Sequence, residues 1–246
     1  EFIYNKGIWG SPFVGLEKFE YILRDDLFWR AFRNTVAISF GSILITFPVP
    51  ILLALLINEM SEGRFKKTLQ TIFTLPHFFS WIIISGIVLN LFNHNGAINN
   101  LLALAGLERV AFLGIPTLFR PLLYGTSIWK EAGWGTIIYL AAISSIDPTL
   151  YEAAVVDGAN RYHRMRYITW PGIKTTVVIL LILSVGGIMN AGFDQVFNLY
   201  NPAVYEKGDI IDTYIYRVTF QSIADFGFST AVGMFKSVIN FVLLLA

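Results

Sequence analysis

Long apolar runs, each close to the length of a membrane helix, alternate with shorter polar connections along most of this chain. A helix needs roughly 20 mainly apolar residues to cross a bilayer core of about 30 Å. Five stretches meet or approach that length. The first four run from about Thr35 to Ile57, Leu69 to Phe92, Pro121 to Ile143 and Thr175 to Phe193, and the fifth runs from near Ser229 to Ala246. Pro48 and Pro50 fall inside the first, and Pro76 near the start of the second. An internal proline frees backbone carbonyls that lipid cannot satisfy, so neighbouring helices or water must do so. The pattern predicts a packed, all-helical bundle with bent members rather than isolated anchors.

Composition agrees. Of the 246 residues 55% are hydrophobic and only 14% charged, whereas a soluble domain carries about 25% charged residues. The net charge of +1 leaves no broad basic footprint for nucleic acid. With no cysteine, disulfides and thiolate metal sites are excluded. Two short connections are basic: Asn58 to Thr68, with Arg64, Lys66 and Lys67, and Asp147 to Lys174, with Arg161, Arg164, Arg166 and Lys174. In the segments on the other side, positive residues are sparser and mixed with Asp25, Asp26, Glu206, Asp209 and Asp212. The positive-inside rule puts the two basic connections in the cytoplasm. The segment Asn198 to Gly208 reads as a structured outer loop. No cleavable signal peptide is visible. The chain is expected to continue at both ends in the native protein, with a sixth span ahead of Glu1.

The most informative stretch is DPTLYEAAVVDGANRYHRMRYITWP, Asp147 to Pro171. Asp147 before Pro148 is a good helix start, because the carboxylate can cap free N–H groups while proline occupies the first turn. The helix is predicted to run through Glu152, Ala153 and Ala154 to Asp157, where Gly158 can take a positive φ and stop it. Asn160 can cap a second helix, Arg161 to Ile168, before Pro171 ends the unit. The result is a helix–bend–helix, parallel to the membrane, between two spans. Ala153, Ala154 and Gly158 have so little side-chain volume that another protein can approach the backbone closely.

This stretch resembles the EAA loop of the permease subunits of ABC importers. Glu152-Ala153-Ala154 is followed after three residues by Gly158, after nine more by Ile168, and then by Trp170-Pro171, where the family usually has Leu-Pro. PFVGLEKFEYIL, FWRAFRNTV, Gly192-Phe193-Asp194 and Tyr214-Ile215-Tyr216-Arg217 are similar to segments of maltose-type sugar permeases. The block FDQVFNLYNPAVYEKGDIIDTYIYR is most similar to permeases for oligosaccharides of acidic polysaccharides, such as pectin fragments and alginate.

The resemblance implies an all-α transmembrane fold, the type I importer bundle, with about five spans present here. It implies a single permease domain over residues 1–246 in the bacterial inner membrane, with 147–171 as its cytoplasmic coupling loop. Docking to the ATP-hydrolysing subunit then falls to Glu152, Ala153, Ala154, Asp157, Gly158 and Ala159. The implied partners are a second, different permease, two ATPase subunits, an extracytoplasmic solute-binding protein and the oligosaccharide. No cofactor is implied on this chain; ATP and magnesium belong to the ATPase subunits. Consistently, the sequence has no glycine-rich phosphate-binding loop ending in Gly-Lys-Ser or Gly-Lys-Thr.

For the substrate, Lys130 and Glu131 stand out, since charged residues inside a span are costly and functional by default. Trp129 and Trp134 lie nearby and offer faces for sugar rings. The competing reading is an internal Lys–Glu pair at a water-filled bend that only holds helices together. Asn190 and Asp194, at the outer end of the fourth span, either bind hydroxyls or cap the helix. His77, His94 and His163 match no metal-ligand spacing and are read as structural. Arg161, Arg164 and Arg166 suit either the ATPase or lipid headgroups. An ion-coupled carrier would show repeats with paired interrupted helices, and an intramembrane enzyme would need paired catalytic groups; neither pattern stands out.

Overall fold

The computed structural model describes residues 7–61, 63–221 and 225–245, so Ala246, where the fifth predicted span stops, lies outside the described residues. The regular elements among them are all helical: α1 (Gly7–Gly10), α2 (Glu17–Arg24), α3 (Asp26–Ile45), α4 (Pro48–Asn58), α5 (Arg64–Thr74), α6 (Trp81–Phe92), α7 (Ala97–Leu104), α8 (Pro116–Ser144), α9 (Pro148–Val156), α10 (Arg161–Arg164), α11 (Trp170–Gly186), α12 (Phe193–Leu199), α13 (Tyr205–Gly208), α14 (Ile211–Phe220) and α15 (Phe226–Leu245). Among the described residues, four stretches are long and apolar enough to cross a membrane: Asp26–Asn58, Trp81–Leu104, Arg161–Gly186 and Phe226–Leu245. The third predicted span is the 29-residue helix α8, in which Arg120, Lys130 and Glu131 dilute the apolar content.

Several predicted boundaries move. The second predicted span is not one helix: a 3₁₀ turn, Leu75–Phe78, and extended Phe79 separate α5 from α6. Pro76, buried in that turn, has no N–H to continue the ladder. Pro171 does not end the coupling unit, because a π-helical turn, Met165–Thr169, leads directly into α11. Proline is tolerated there, at the second position of α11, since the π turn has already shifted the hydrogen-bond register. The fourth span stops at Gly186 rather than near Phe193.

The chain divides into two compact units. The first holds the described residues up to Phe40, Ser85–Pro121 and the described residues from Gly186 onward. Its core packs Ile22, Phe28, Ala31, Met189, Ile211, Tyr214, Phe228 and Val232. The ring of Phe28 meets Trp29 and Phe235 edge to face, at 5.4 and 5.5 Å. The outer loop before α14 is fixed to this core by a buried charge. Asp209 is fully buried and accepts two hydrogen bonds from the Arg217 guanidinium, at 3.0 and 2.6 Å, and one from the Thr213 hydroxyl at 2.9 Å. Asn34 on α3 donates to the carbonyls of Glu206 and Asp209, while Arg120 on α8 donates to Asn34 and to the carbonyl of Lys207. Lys236, inside the α15 span, is paired with Asp212 at 2.6 Å.

The second unit comprises Gly41–Ile84 and Leu122–Val185. Ile51, Ala54 and Leu55 pack with Tyr139, Ile143, Ile173 and Val177. Missing side chains let its helices approach closely. A Cβ on Gly133 of α8 would lie 2.0 Å from the carbonyl oxygen of Phe73 on α5, and one on Gly135 would lie 2.9 Å from Pro50 on α4. The residue between them, Trp134, is thereby held against the break at Leu75–Phe78.

Removing the hydrogen-bonded partner of a buried carboxylate costs up to about 3–5 kcal/mol, and Arg30, 3.9 Å from Asp209 Oδ2, offsets part of the charge when Arg217 is lost. Arg217→Leu is therefore expected to lower the thermal midpoint of the detergent-solubilised protein markedly. Arg217→Lys, which keeps the charge without the two-pronged geometry, is expected to lose less. Equal midpoints for both variants and wild type would show that Asp209 does not depend on Arg217.

Candidate functional site

The first candidate site is the connection between α8 and α11. Asp147 caps α9 as its side chain accepts a 2.9 Å bond from the Thr149 N–H, with Pro148 in the first turn. Hydrogen bonds from Thr149 hold the Asp147 carboxyl below its ordinary value. A lowered carboxylate pKa means the cap is fully present above the ordinary value and is lost only as pH falls through the lowered one. At the other end Gly158 takes φ +77°, and the N–H groups of Gly158 and Ala159 return to the carbonyls of Val155 and Ala154. A Cβ at Gly158 would meet nothing within 4 Å, so the requirement there is conformational rather than steric. Asn160 caps the next helix through the His163 N–H at 2.9 Å. The hydroxyls of Tyr151 and Thr169 meet at 2.9 Å and brace the two arms.

This braced element hides almost nothing of itself. No residue of α9 is buried, and Leu150, Val155 and Val156 are 52%, 56% and 87% exposed. Glu152, Ala153, Asp157 and Gly158 are exposed, and Ala154 and Ala159 partly so. A helix of nine residues gains little stability from its own ladder, so caps and braces hold an open apolar surface in place. Arg164 reaches Glu59, at 3.8 Å, which ties this connection to the end of α4 and the other basic loop.

The second candidate site surrounds the break between α5 and α6. Where the ladder stops, the carbonyl of His77 is left to side chains, and Lys130 Nζ of α8 donates to it at 2.8 Å. Lys130 is only 6% exposed. It also pairs with Glu131 Oε1 at 3.1 Å and lies 5.5 Å over the Trp81 ring. The second carboxylate oxygen, Oε2, meets His77 Nδ1 at 2.7 Å. The imidazole stacks on Trp134, centroids 4.6 Å apart and planes within 3°. The result is a dense polar knot whose solvent-facing parts are Glu131 and the flank of Trp134, at 42% and 43% exposure. Trp129 is exposed but points elsewhere, because residues adjacent in a helix face directions about 100° apart.

Asn190 and Asp194 are exposed residues of the first unit. Asn190 lies in the turn after α11, its N–H bonded to the Gly187 carbonyl at 2.8 Å. Asp194 lies in the first turn of α12, whose cap position is Gly192 at φ +78°. Beside it Phe193, Phe197 and Tyr216 form a row of rings, with Phe197 4.7 Å from Tyr216. No cluster able to hold a metal ion occurs among the described residues.

Residues 43–246 match the family of binding-protein-dependent transport system inner membrane components. The chain belongs to that family. It is 44% identical over 240 residues to the polygalacturonan/rhamnogalacturonan transport system permease protein YteP of Bacillus subtilis, covering 97% of this chain and 74% of that protein. Its fold matches a chain of a bacterial ABC transporter involved in the import of the acidic polysaccharide alginate. The TM-score is 0.92 at 44% identity, over 96% of this chain and 83% of the other. A second structure is that of a bacterial alginate ABC transporter in complex with an alginate pentasaccharide-bound periplasmic protein. It matches with TM-score 0.89 at 43% identity, over 94% and 81% of the two chains.

The protein is therefore an inner-membrane permease subunit of an ABC importer that works with a solute-binding protein, and neither an ion-coupled carrier nor an intramembrane enzyme. In this permease the sequence pattern brought out Lys130 and Glu131 but assigned His77 only a structural place among scattered histidines. The available signal was Pro76, which interrupts an apolar run one residue before His77.

The close approach at Gly133 is expected to be indispensable to the knot. Gly133→Ala should lower the thermal midpoint and open the α5–α8 packing to cysteine-reactive probes placed at Phe73. Gly125→Ala in the same helix, where a Cβ meets nothing within 4 Å, should be neutral or stabilising by up to about 1 kcal/mol. Indistinguishable midpoints for the two variants would contradict the packing.

Proposed function

We propose that this permease forms half of the pathway for an oligosaccharide of an acidic polysaccharide, pairs with a second, different permease, and is driven through residues 147–171 by two separate ATPase subunits that bind ATP and magnesium. The observation that carries the reading is the exposed, capped and braced helix α9, whose apolar residues are left uncovered by the described residues. Glu152, Ala153, Ala154, Asp157, Gly158 and Ala159 are the docking positions. The alanines and glycine let the partner approach the backbone, and the carboxylates meet polar groups on it. The substrates of the relatives, polygalacturonan and alginate, are polymers of acidic sugars, which supports the substrate class.

Gly158→Val places a β-branched residue in the left-handed region, where even unbranched residues cost roughly 1–2 kcal/mol. It is expected to leave the permease inserted while weakening ATPase binding or uncoupling hydrolysis from uptake. Glu152→Ala should act in the same direction. Wild-type transport and wild-type stimulation of the ATPase in both variants would refute the docking assignment.

For the substrate, Lys130 is committed to Glu131 and to the His77 carbonyl, so its part in the pathway is to position Glu131. The groups offered to sugar are Glu131 and the Trp134 face, with Trp129 on another side of α8 and Asn190 and Asp194 in the first unit as separate positions. A hydrogen bond to a charged group is worth about 1.5–3 kcal/mol. The variant Lys130→Met with Glu131→Gln, once shown to assemble, is therefore expected to import acidic oligosaccharides with an apparent affinity about tenfold or more lower. Import at wild-type rate and affinity would make the knot purely structural.

A further inference from the structure

The basic end of α5 continues into an apolar groove that no part of the proposed pathway uses. Arg64, Lys67, Thr71, Thr74 and Phe78 follow one another at spacings of three or four residues and so share one side of α5 and its 3₁₀ extension. Thr71, Thr74 and Phe78 of that stripe, with Gln70 and Leu75 beside them, form one wall of a groove of ≈ 530 Å³, and Ile137, Leu140, Ala141 and Ser144 of α8 form the other. Both walls belong to the second unit. Arg64 and Lys67 are exposed, and neither meets a carboxylate among the described residues.

The hydroxyl hydrogens of the groove are spent within its own helices. The hydroxyls of Thr71, Thr74 and Ser144 donate to the carbonyls of Lys67, Gln70 and Leu140 of their own helices, at 3.0, 2.7 and 2.9 Å. Its lining is mainly apolar, with the Gln70 amide and the hydroxyl lone pairs as its polar groups, so a sugar or a peptide laid there would regain few of the hydrogen bonds it makes with water. Hydrocarbon loses nothing. From Lys67 to Phe78 the stripe measures roughly 16–19 Å, from the rise per residue of α- and 3₁₀-helices. That is close to the depth of one bilayer leaflet, about 15 Å. The basic loop is the one that charge asymmetry assigns to the cytoplasmic side, where juxtamembrane Lys and Arg attract anionic headgroups.

We propose that this groove is a binding site for one anionic phospholipid, its phosphate against Arg64 and Lys67 and an acyl chain between α5 and α8. None of the groove's lining residues is a docking or sugar position, although Phe78 packs edge-on against His77 and Trp134. The site makes the permease sensitive to the lipid composition of the cytoplasmic leaflet beside the break at Leu75–Phe78.

The test uses the assembled transporter in nanodiscs of phosphatidylcholine doped with tail-diazirine phosphatidylglycerol or, separately, tail-diazirine phosphatidylcholine, with labelled peptides identified by mass spectrometry. Labelling of α5 and α8 by the anionic probe is expected to exceed that by the zwitterionic probe about thirtyfold, given about 1 kcal/mol for each of the two basic residues near the surface. Arg64→Gln with Lys67→Gln should remove the preference, and Ala141→Phe, which fills the groove, should cut labelling with the charges intact. Glycerophosphoglycerol, the same headgroup without chains, should not compete; competition would assign the site to a free phosphodiester instead. Equal labelling by the two probes, labelling unchanged in both variants, or cross-linking of these residues to a partner subunit would overturn the proposal.

Discussion

In a chain solvated by hydrocarbon, a backbone carbonyl that leaves its helix must find a donor within the protein, and the rest of the second unit is arranged around one such carbonyl. The ladder of α5 stops at Pro76, the His77 carbonyl is released, and Lys130 reaches it from α8. The ammonium in turn needs an anion, which Glu131 supplies, and the carboxylate also holds the His77 ring against Trp134. Gly133 allows α8 close enough for these bonds to form. One interrupted helix thus fixes the position of two charges, an imidazole and an indole. Such interruptions are tolerated at membrane depth only where protein or a water-filled cavity satisfies them.

The first unit meets the same constraint with a different device. Its outer loop is irregular, and the carbonyls of Glu206, Lys207 and Asp209 are taken up by Asn34 and Arg120, while Asp209 itself is held by Arg217 and Thr213. In the second unit the turn before Pro48 and Pro50 is closed locally, since the Ser42 carbonyl accepts from the N–H groups of Thr46 and Phe47 and the Thr46 carbonyl from the Val49 N–H. Charge buried in this protein is paired in each of these places, and its role there is to hold irregular backbone. The coupling segment reverses the logic. There the irregular backbone is exposed and satisfied by its own caps, and the small residues around it stay at the surface.

The helical class, the spans and the coupling segment were legible in the sequence because their determinants are local. Twenty apolar residues make a span whatever lies beside them. Asp147 before Pro148, Gly158 and Asn160 act through bonds to residues within three positions or through their own φ, and each does so in the structure. The spacing from Glu152 to Pro171 was readable for the same reason. Local rules misplaced what depends on competition between neighbouring signals. Pro171 stands in a continuous helix because a π turn precedes it, and Leu69 to Phe92 divides at the 3₁₀ turn in which Pro76 is buried.

The tertiary structure alone decided which polar groups meet. Lys130 and the His77 carbonyl are 53 residues apart in the chain, Arg120 and Asn34 are 86 apart, and Asn34 and the Asp209 carbonyl 175. Nothing in the hydrophobic pattern distinguishes Lys130 facing a carbonyl from Lys130 facing a sugar, and nothing marks His77 as the partner of Glu131 rather than an isolated ring. The groove between α5 and α8 likewise needs two stripes, one from each helix, brought side by side. Apolar content and capping are properties of a segment, so the sequence determines them; the partner of a buried polar group is a property of packing, and only the folded chain assigns it.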